Sequence, residues 1–416
     1  MPRTELARLQ LDRLRERLAY VYSRVPFYKR RFDDAGVRPE DVCSLGEMAR
    51  LPFTRKADLR DNYPAGLFAV PLHDCLRIHA SSGTRGKPTV VGYNRQDLAL
   101  WAEVCARTIV ACSGQPGDVL QNAYGYGLFT GGFGFHQGAE LIGLTVVPTS
   151  SGNTARQIML LQDLQVRGLA CTPSYALNIG ETMRDAGIAP GSIALRYGIF
   201  GAEPCTDELR RQIEVAIPGL TAYDVYGLSE IIGPGVSCEC AERSGLHINE
   251  DHFLPEIIDP ESGRLLPFGQ DGELVLTNLT KEALCLIRYR TGDICRLTDE
   301  PCPCGRTNVR MSKIKGRSDD MLIVRGVNVF PSAIEAALLG EPEVAPYYQL
   351  VVTRQGALDE LEVQVEAIAE SSDLAPRLVR RLQDVLGLSC RVTLQPAKSI
   401  PRSEGKAIRV VDQRPR

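Results

Sequence analysis

The sequence predicts an α/β protein in two parts, a large N-terminal domain of mixed sheets and helices over residues 1–316 and a small C-terminal α+β domain over residues 317–416. Length is one reason, because 416 residues exceed the size at which a single hydrophobic core usually stops growing. Alternation is another: from about Ile78 to Leu297, short β-branched runs such as Thr145-Val146-Val147 and Gly198-Ile199-Phe200 interleave with helix-like stretches such as Thr154 to Gln165. The last is a change of texture after Gly316-Arg317-Ser318-Asp319-Asp320, where a compact β-α-β-β-α-β pattern begins.

Taken in chain order, Leu6, Leu9, Leu11, Leu14 and Leu18 fall at roughly helical spacing and predict a helical cap over residues 1–60. In the C-terminal part, strands are expected over Met321 to Val329, Gln349 to Thr353, Leu361 to Ala367 and Cys390 to Leu394, with helices from Pro331 and from Asp373. Pro331 suits a first helical turn, where its missing N–H is no loss. The polar, glycine-containing segment Lys315 to Asp320 separates the two patterned regions and marks their boundary.

Composition excludes several function classes. Hydrophobic residues at 44% and charged residues at 24% are ordinary for a globular protein, and no apolar run approaches the ~18 residues of a membrane span. Charges from Arg3 to Arg17 leave no apolar core for a secretory signal, so the expected compartment is the cytoplasm. A net charge of -3 gives no field to attract a polyanion, which argues against nucleic acid and confines phosphate binding to a local site. Of thirteen cysteines, Cys43, Cys75, Cys105, Cys112, Cys171, Cys205, Cys285 and Cys390 stand alone in apolar surroundings and read as buried, reduced thiols. Cys238 with Cys240 and Cys302 with Cys304 form two close pairs.

Such a local site is offered by Ser81-Ser82-Gly83-Thr84-Arg85-Gly86-Lys87-Pro88-Thr89, which follows the apolar run Leu76 to Ala80. Its glycines let backbone approach an anion, its hydroxyls and N–H groups donate to phosphate oxygens, and Lys87 adds charge. It is not a Walker loop, because Ser81 stands where the first glycine is required and Pro88 follows the lysine. A solvated Ser/Gly turn would have the same composition, so other segments must decide.

They do so through a resemblance. The loop resembles the phosphate-binding loop of the adenylate-forming superfamily, and the string His79 to Tyr93 resembles that of the phenylacetate-CoA ligase family, with Arg85 where Thr is usual. Four further segments resemble that family's motifs in the family's order: Gly201-Ala202-Glu203-Pro204, Tyr226-Gly227-Leu228-Ser229-Glu230, Tyr289-Arg290-Thr291-Gly292-Asp293 and the long string Gly316 to Pro331.

The resemblance covers essentially the whole chain, and it implies an adenylate-forming N-terminal domain, a mobile C-terminal domain, and roles for individual residues. Ser81, Ser82, Gly83, Thr84, Gly86 and Lys87 would hold the ATP phosphates. Gly201, Ala202, Glu203 and Pro204 would lie against adenine, with Cys205 in place of the usual Trp. Asp224, Tyr226 and Gly227 would complete the nucleotide site, Tyr226 stacking on the base, and Glu230 would take part in holding Mg2+, a hard cation that prefers oxygen ligands. Asp293 and Arg317 would bind the ribose, and Asp319 would be the hinge. Lys406, within Pro401-Arg402-Ser403-Glu404-Gly405-Lys406, falls on the family's catalytic lysine, a flexible ammonium suited to charge developing on phosphate oxygens.

The activity so implied is ATP-dependent activation of a small aromatic acid through an acyl-adenylate, followed by transfer to CoA. Tyr124 to Gly138 alternates aromatic residues with glycines and would wall a flat ring, through Tyr124, Phe129, Phe135, His136, Gln137 and Gly227. Gln137 stands where Tyr is common in the family, and a polar amide there favours a ring bearing a hydroxyl or amino group over plain phenylacetate.

Cys240, His247, Cys302 and Cys304 supply the sulfur and nitrogen for a closed, structural zinc site, comparable to a set carried by some relatives. Cys238 reads as an extra thiol, and His252 is the competing imidazole. Two other functions remain open at this stage: an adenylating enzyme that hands its acyl group to a carrier protein or a second aromatic acid, and a non-catalytic nucleotide-binding protein. The expected partners are the acid, ATP and CoA, without nucleic acid or membrane, and a homodimer is left open.

Overall fold

The computed structural model describes residues 1–81, 88–128, 130–317, 322–325, 327–355, 358–368, 371 and 373–414. The β-branched runs of the first part form a parallel sheet in which Thr145–Val147, Val119–Asn122, Gly168–Cys171, Tyr197–Phe200 and Thr221–Leu228 lie side by side in that order. Every residue of Gly168–Cys171 and Tyr197–Phe200 is buried, as strands covered on both faces by crossover helices must be. Two of those helices begin at threonines. Thr172 accepts from the Tyr175 N–H at 3.4 Å ahead of Pro173–Asp185, and Thr206 accepts from the Leu209 N–H at 3.2 Å ahead of Asp207–Ala216.

Beyond Thr221–Leu228 the sheet turns antiparallel. Gly233–Cys238, Leu246–Ile248, Arg310–Met311, Tyr289–Thr298, Asp271–Asn278 and Phe253–Ile258 extend it, and Gly316–Arg317 pairs on the side of Tyr289–Thr298. The helical cap is narrower than residues 1–60: it consists of Arg3–Arg24 and Pro26–Asp34, after which short 3₁₀ turns and the six-residue helix Lys56–Asp61 follow.

The glycine-rich stretch forms the helix Gly131–Leu141, packed against Arg95–Ala111. Here the glycines are steric requirements, since a Cβ on Gly134 would lie 2.5 Å from Trp101 Nε1 and one on Gly138 would lie 2.7 Å from the backbone nitrogen of Ala106. Those contacts draw the two helices together beside the carboxyl end of Val119–Asn122.

In the C-terminal part, the stretch expected as one strand from Met321 to Val329 is instead a hairpin of Leu322–Val324 and Val327–Val329. Arg325 lies at its turn with φ 51, a left-handed value that a continuous strand does not contain. Four strands then run in the order Arg391–Gln395, Leu358–Ala367, Val344–Gln355 and Val410–Asp412, the last of which the sequence did not signal. The helices Pro331–Leu339 and Leu374–Leu386 cover them, the second through a buried stripe of Leu374, Leu378, Leu382 and Leu386. One apolar cluster runs from Leu161, Tyr175 and Ile213 of the first part into Ile334, Leu350 and Val363 of the second.

All thirteen cysteines are free thiols, but Cys43 is exposed and Cys75 only half-buried, contrary to the reading of both as core residues. Apolar sequence neighbours do not bury a thiol that the 3₁₀ turns around Cys43 leave on the surface. Among the described residues no helix is long and apolar enough to cross a membrane.

The Gly138 contact is backbone against side chain and cannot be relieved by a rotamer change. Gly138→Ala should therefore destabilise the fold by about 1–3 kcal/mol, read as a lower urea midpoint. An unchanged midpoint would show that the two helices separate freely.

Candidate active site

In an open α/β sheet, groups that act on a ligand gather beyond the carboxyl ends of the parallel strands. This chain places several expected residues there: Tyr124 after Val119–Asn122, Gly201 to Pro204 after Tyr197–Phe200, and Glu230 after Thr221–Leu228. Gly201 allows that approach, since a Cβ on it would meet the Val225 carbonyl oxygen at 2.5 Å, and Ala202 turns the chain at φ 68.

Three of the expected nucleotide residues touch one another directly. The Tyr226 hydroxyl donates to Asp293 Oδ2 at 2.6 Å, and Arg317 Nη1 donates to Asp293 Oδ1 at 2.8 Å. Arg317 also donates to the Thr291 carbonyl at 3.2 Å. The pairing of Gly316–Arg317 with Tyr289–Thr298 sets Arg317 opposite Asp293, so the chain of contacts follows from strand register. Burial, and then the Asp293 charge, push the Tyr226 phenol well above its ordinary range, which keeps it a proton donor.

Glu230 is buried, on a turn held from several sides. Tyr93 donates to the carbonyls of Ile232 at 3.0 Å and Ser229 at 3.3 Å, Thr130 Oγ1 lies 3.0 Å from Ser229 Oγ, and Asn278 donates to the Ile231 carbonyl at 3.2 Å. Behind Tyr93 lies Lys281, fully buried, its ammonium 4.4 Å from the ring centroid and without a hydrogen-bond partner among the described residues. Burial pushes it down to about 8, against the pull of Asp97. Sequence reading missed Lys281, Thr130 and Asn278; the one available signal was a lysine beside the apolar run Ala283 to Ile287.

Of the phosphate loop, Ser81 leads out of the hairpin formed by Arg77–Ala80 and Val90–Tyr93, its N–H donating to the Thr89 carbonyl at 3.0 Å. Its hydroxyl is buried and has no partner among the described residues. Ser82, Gly83, Thr84, Gly86 and Lys87 lie outside the described residues, as do Phe129 and Asp319.

The expected ring pocket is divided. Tyr124 and Phe135 are buried and stacked, 5.6 Å between centroids, and the Tyr124 hydroxyl donates to the Ile199 carbonyl at 3.3 Å. His136 faces the other way, its nitrogens 3.1 Å from the Tyr126 hydroxyl and 3.1 Å from Glu140 Oε1. Gln137 accepts from Arg77 Nη1 at 3.2 Å, and that guanidinium lies over the Phe133 ring. Gly227 lies against the neighbouring strand, where a Cβ would be 1.9 Å from the Gly233 carbonyl oxygen.

Lys406 reaches this region from the far end of the chain. Its side chain is exposed, but its flanks are held: Thr172 donates to the Gly405 carbonyl at 2.9 Å, and the Ala407 N–H donates to Glu203 Oε1 at 2.5 Å. Ser174 donates to Glu203 Oε2 at 2.7 Å. Tyr347 with Glu181 at 2.6 Å and Lys398 with Asp185 at 2.6 Å add further contacts between the two parts of the chain.

Away from these residues, Cys240, His247, Cys302 and Cys304 come together with all four ligand atoms within 4.8 Å of one another. The Cys240–Cys302 sulfur separation is 3.8 Å, and Cys304 Sγ lies 3.4 Å from His247 Nε2. A tetrahedral zinc with ~2.3 Å arms to sulfur sets sulfurs about 3.8 Å apart, so this donor set fits a closed zinc site. Burial, then Arg306 and Arg310, push His247 down to about 4, which leaves the imidazole neutral, the form a metal would require.

The AMP-binding enzyme family pattern matches residues 8–279, and the AMP-binding enzyme C-terminal domain pattern matches residues 326–414. A phenylacetate-coenzyme A ligase of Thermus thermophilus is 52% identical over 100% of this chain and 98% of its own. A crystal structure of 2-hydroxyisobutyryl-CoA ligase in the postadenylation state, in complex with R3-HIB-AMP, superposes with a TM-score of 0.92 at 31% identity, covering 99% of this chain and 90% of that one. That ligase in its thioesterification state, with 2-HIB-AMP and CoA, gives 0.75 at 32% identity, covering 100% and 91%.

Asp224 provides a pH test of the site. Burial, and then Glu239, whose carboxylate is paired with Arg210 at 2.7 Å, push it up to about 8. An acid raised above its unfolded value of about 3.9 adds stability that is full below that value and is lost as pH climbs through about 8. In the ligand-free protein, Asp224→Asn should gain on the wild type between pH 5 and 8, by an amount on the order of a few kcal/mol, in urea unfolding. Parallel pH profiles for the two proteins would contradict that burial.

Proposed function

Since the chain belongs to the AMP-binding enzymes and, within them, to the phenylacetate-CoA ligase family, we propose that it activates an arylacetic acid with ATP and transfers the acyl group to CoA. The observation that carries this reading is the seating of the Lys406 segment against Thr172 and Glu203, beyond the carboxyl ends of the parallel strands. There the lysine can meet a nucleotide whose ribose lies against Asp293 and Arg317.

In the first step a carboxylate oxygen of the acid attacks the α-phosphorus of ATP, the bond to the bridging oxygen breaks, and pyrophosphate leaves. Lys406 offers its ammonium to the α-phosphate oxygens as their charge grows, and Tyr226 covers the base. Glu230 would hold Mg2+, which neutralises triphosphate charge. In the second step the CoA thiol adds to the acyl carbonyl, AMP leaves, and the thiol proton passes to solvent. This chemistry depends on positioning and charge neutralisation more than on proton transfer within the site. The higher TM-score with the postadenylation ligase supports reading the present arrangement as that of the first step. A boundary near residue 316 and a hinge at Asp319 are the corresponding proposals for how the small domain moves away before the second.

Gln137 favours a finer reading. Arg77 occupies its carbonyl oxygen and leaves its NH2 as donor, which suits a ring hydroxyl, a good acceptor, over an amino group. The zinc reading completes the proposal: one ion on Cys240, His247, Cys302 and Cys304 would tie the loop after Gly233–Cys238 to the Cys302–Cys304 turn, with no open position for chemistry.

With ATP, CoA and a panel of phenylacetate, benzoate and their hydroxy derivatives, mass spectrometry should find the aryl-CoA, and Lys406→Ala should lose roughly 10²–10³ in acid-dependent pyrophosphate release while ATP binding is kept. Undiminished release would remove Lys406 from the mechanism, and preference for unsubstituted phenylacetate would end the hydroxyl reading. Zinc analysis should give one ion per chain, and chelation or Cys302→Ala should lower thermal stability. Metal-free protein of full stability would contradict the site.

A further inference from the structure

The two peptide units that bracket Lys406 are both fixed to the large domain. The unit before it is held through the Gly405 carbonyl, which accepts from Thr172 Oγ1 at 2.9 Å and lies 3.4 Å from Ser174 Oγ. The unit after it is held through the Ala407 N–H on Glu203 at 2.5 Å. Ser403 Oγ adds a donor to the same Gly405 carbonyl at 2.6 Å from within the segment. With both flanking units pinned, the backbone torsions of Lys406 are set and only its side chain moves. The carboxylate of Glu203 is otherwise engaged by Ser174 Oγ, at 2.9 and 2.7 Å from its two oxygens. Among the described residues, its donors are Ser174 and the Ala407 amide, which both belong to this clasp.

We propose that Glu203 is a positioning residue for adenylation, clasping the Lys406 segment through the Ala407 amide, and that releasing this clasp is part of the passage to thioester formation. The inference rests on Lys406 being the adenylating lysine and gives Glu203 a task apart from the adenine. It follows from the partners. A carboxylate that accepts from a backbone amide makes a charge-assisted bond, among the stronger single contacts available to hold a loop. The donor is on the small domain and the acceptor on the large one, so the bond exists only in the arrangement that presents Lys406. Glu203, Thr172 and Ser174 form one surface from two neighbouring strand ends, which is rigid enough to fix the lysine's entry point. A separated small domain leaves that surface behind.

The test separates the two half-reactions. Acid-dependent pyrophosphate release without CoA reads the first, and thioester formed from supplied phenylacetyl-adenylate and CoA reads the second. Glu203→Ala should slow the first by roughly ten- to a hundredfold, with a much smaller effect on the second. Glu203→Gln, whose amide oxygen still accepts from Ala407, should recover most of the loss. In a Lys406→Ala background, Glu203→Ala should add little, because the two act as one unit. Should Glu203→Ala not fold, Ser174→Ala removes the hydroxyl donor that orients Glu203 and carries the same comparison. Equal losses in both half-reactions, multiplicative losses with Lys406→Ala, or a raised KM for ATP at unchanged kcat would each overturn the clasp. Wild-type protein that releases no acid-dependent pyrophosphate would instead overturn the function on which it rests.

Discussion

A carboxylate drawn partly out of water must find donors, and at Glu203 one of those donors is a backbone amide two hundred residues further along the chain. This bond, with the Thr172 hydroxyl on the Gly405 carbonyl beside it, ties the end of the polypeptide to the ends of the parallel strands. Much else serves that seat. The threonine that caps Pro173–Asp185 is the one that reaches Gly405, so a residue needed to start a helix also holds a loop of the C-terminal part. The apolar cluster shared by the two parts and the contacts of Tyr347 and Lys398 spread the docking over a wider face.

The opposite wall of the site is organised by a second buried polar group. Tyr93 holds the Glu230 turn through two carbonyls while its ring stacks on Trp101, 4.9 Å between centroids, and receives the Lys281 ammonium. A buried ammonium without a hydrogen-bond partner among the described residues is costly, and the nearby Asp97 and Glu230 carboxylates offset part of that cost. Gly138 and Gly134 act further back, letting two helices close on the strand that leads to Tyr124.

Much of this was legible in the sequence. Period and length pointed to the α/β alternation of the first part and to the α+β C-terminal part, because buried β-branched runs and amphipathic leucines, such as Leu374 to Leu386, report local structure directly. Tyr226, Asp293 and Arg317, and the Cys240, His247, Cys302 and Cys304 set, are each legible as short chemical signatures, which survive without knowledge of long-range geometry; the contact among the first three is not. Other features were hidden for physical reasons. The hairpin around Arg325 depends on one left-handed residue inside an apolar run, and Val410–Asp412 is three residues whose strand state comes from pairing with Val344–Gln355. Glu203 and Ala407, like Lys281 and Tyr93, meet only after the chain has folded. No spacing announces them, and the same holds for the division of the ring pocket, where Tyr124 and Phe135 stack together while His136 turns away.

The central claim is that the nucleotide and Lys406 meet on the surface made by these strand ends. A crystal structure with a non-reactive acyl-sulfamoyl analogue of phenylacetyl-adenylate examines it most directly. The ribose hydroxyls should lie on Asp293, the base beside Tyr226 and Gly201, and the Lys406 ammonium at the sulfamoyl oxygens, with Ala407 still bonded to Glu203. An analogue bound elsewhere, or bound there with Lys406 left in solvent, would contradict it.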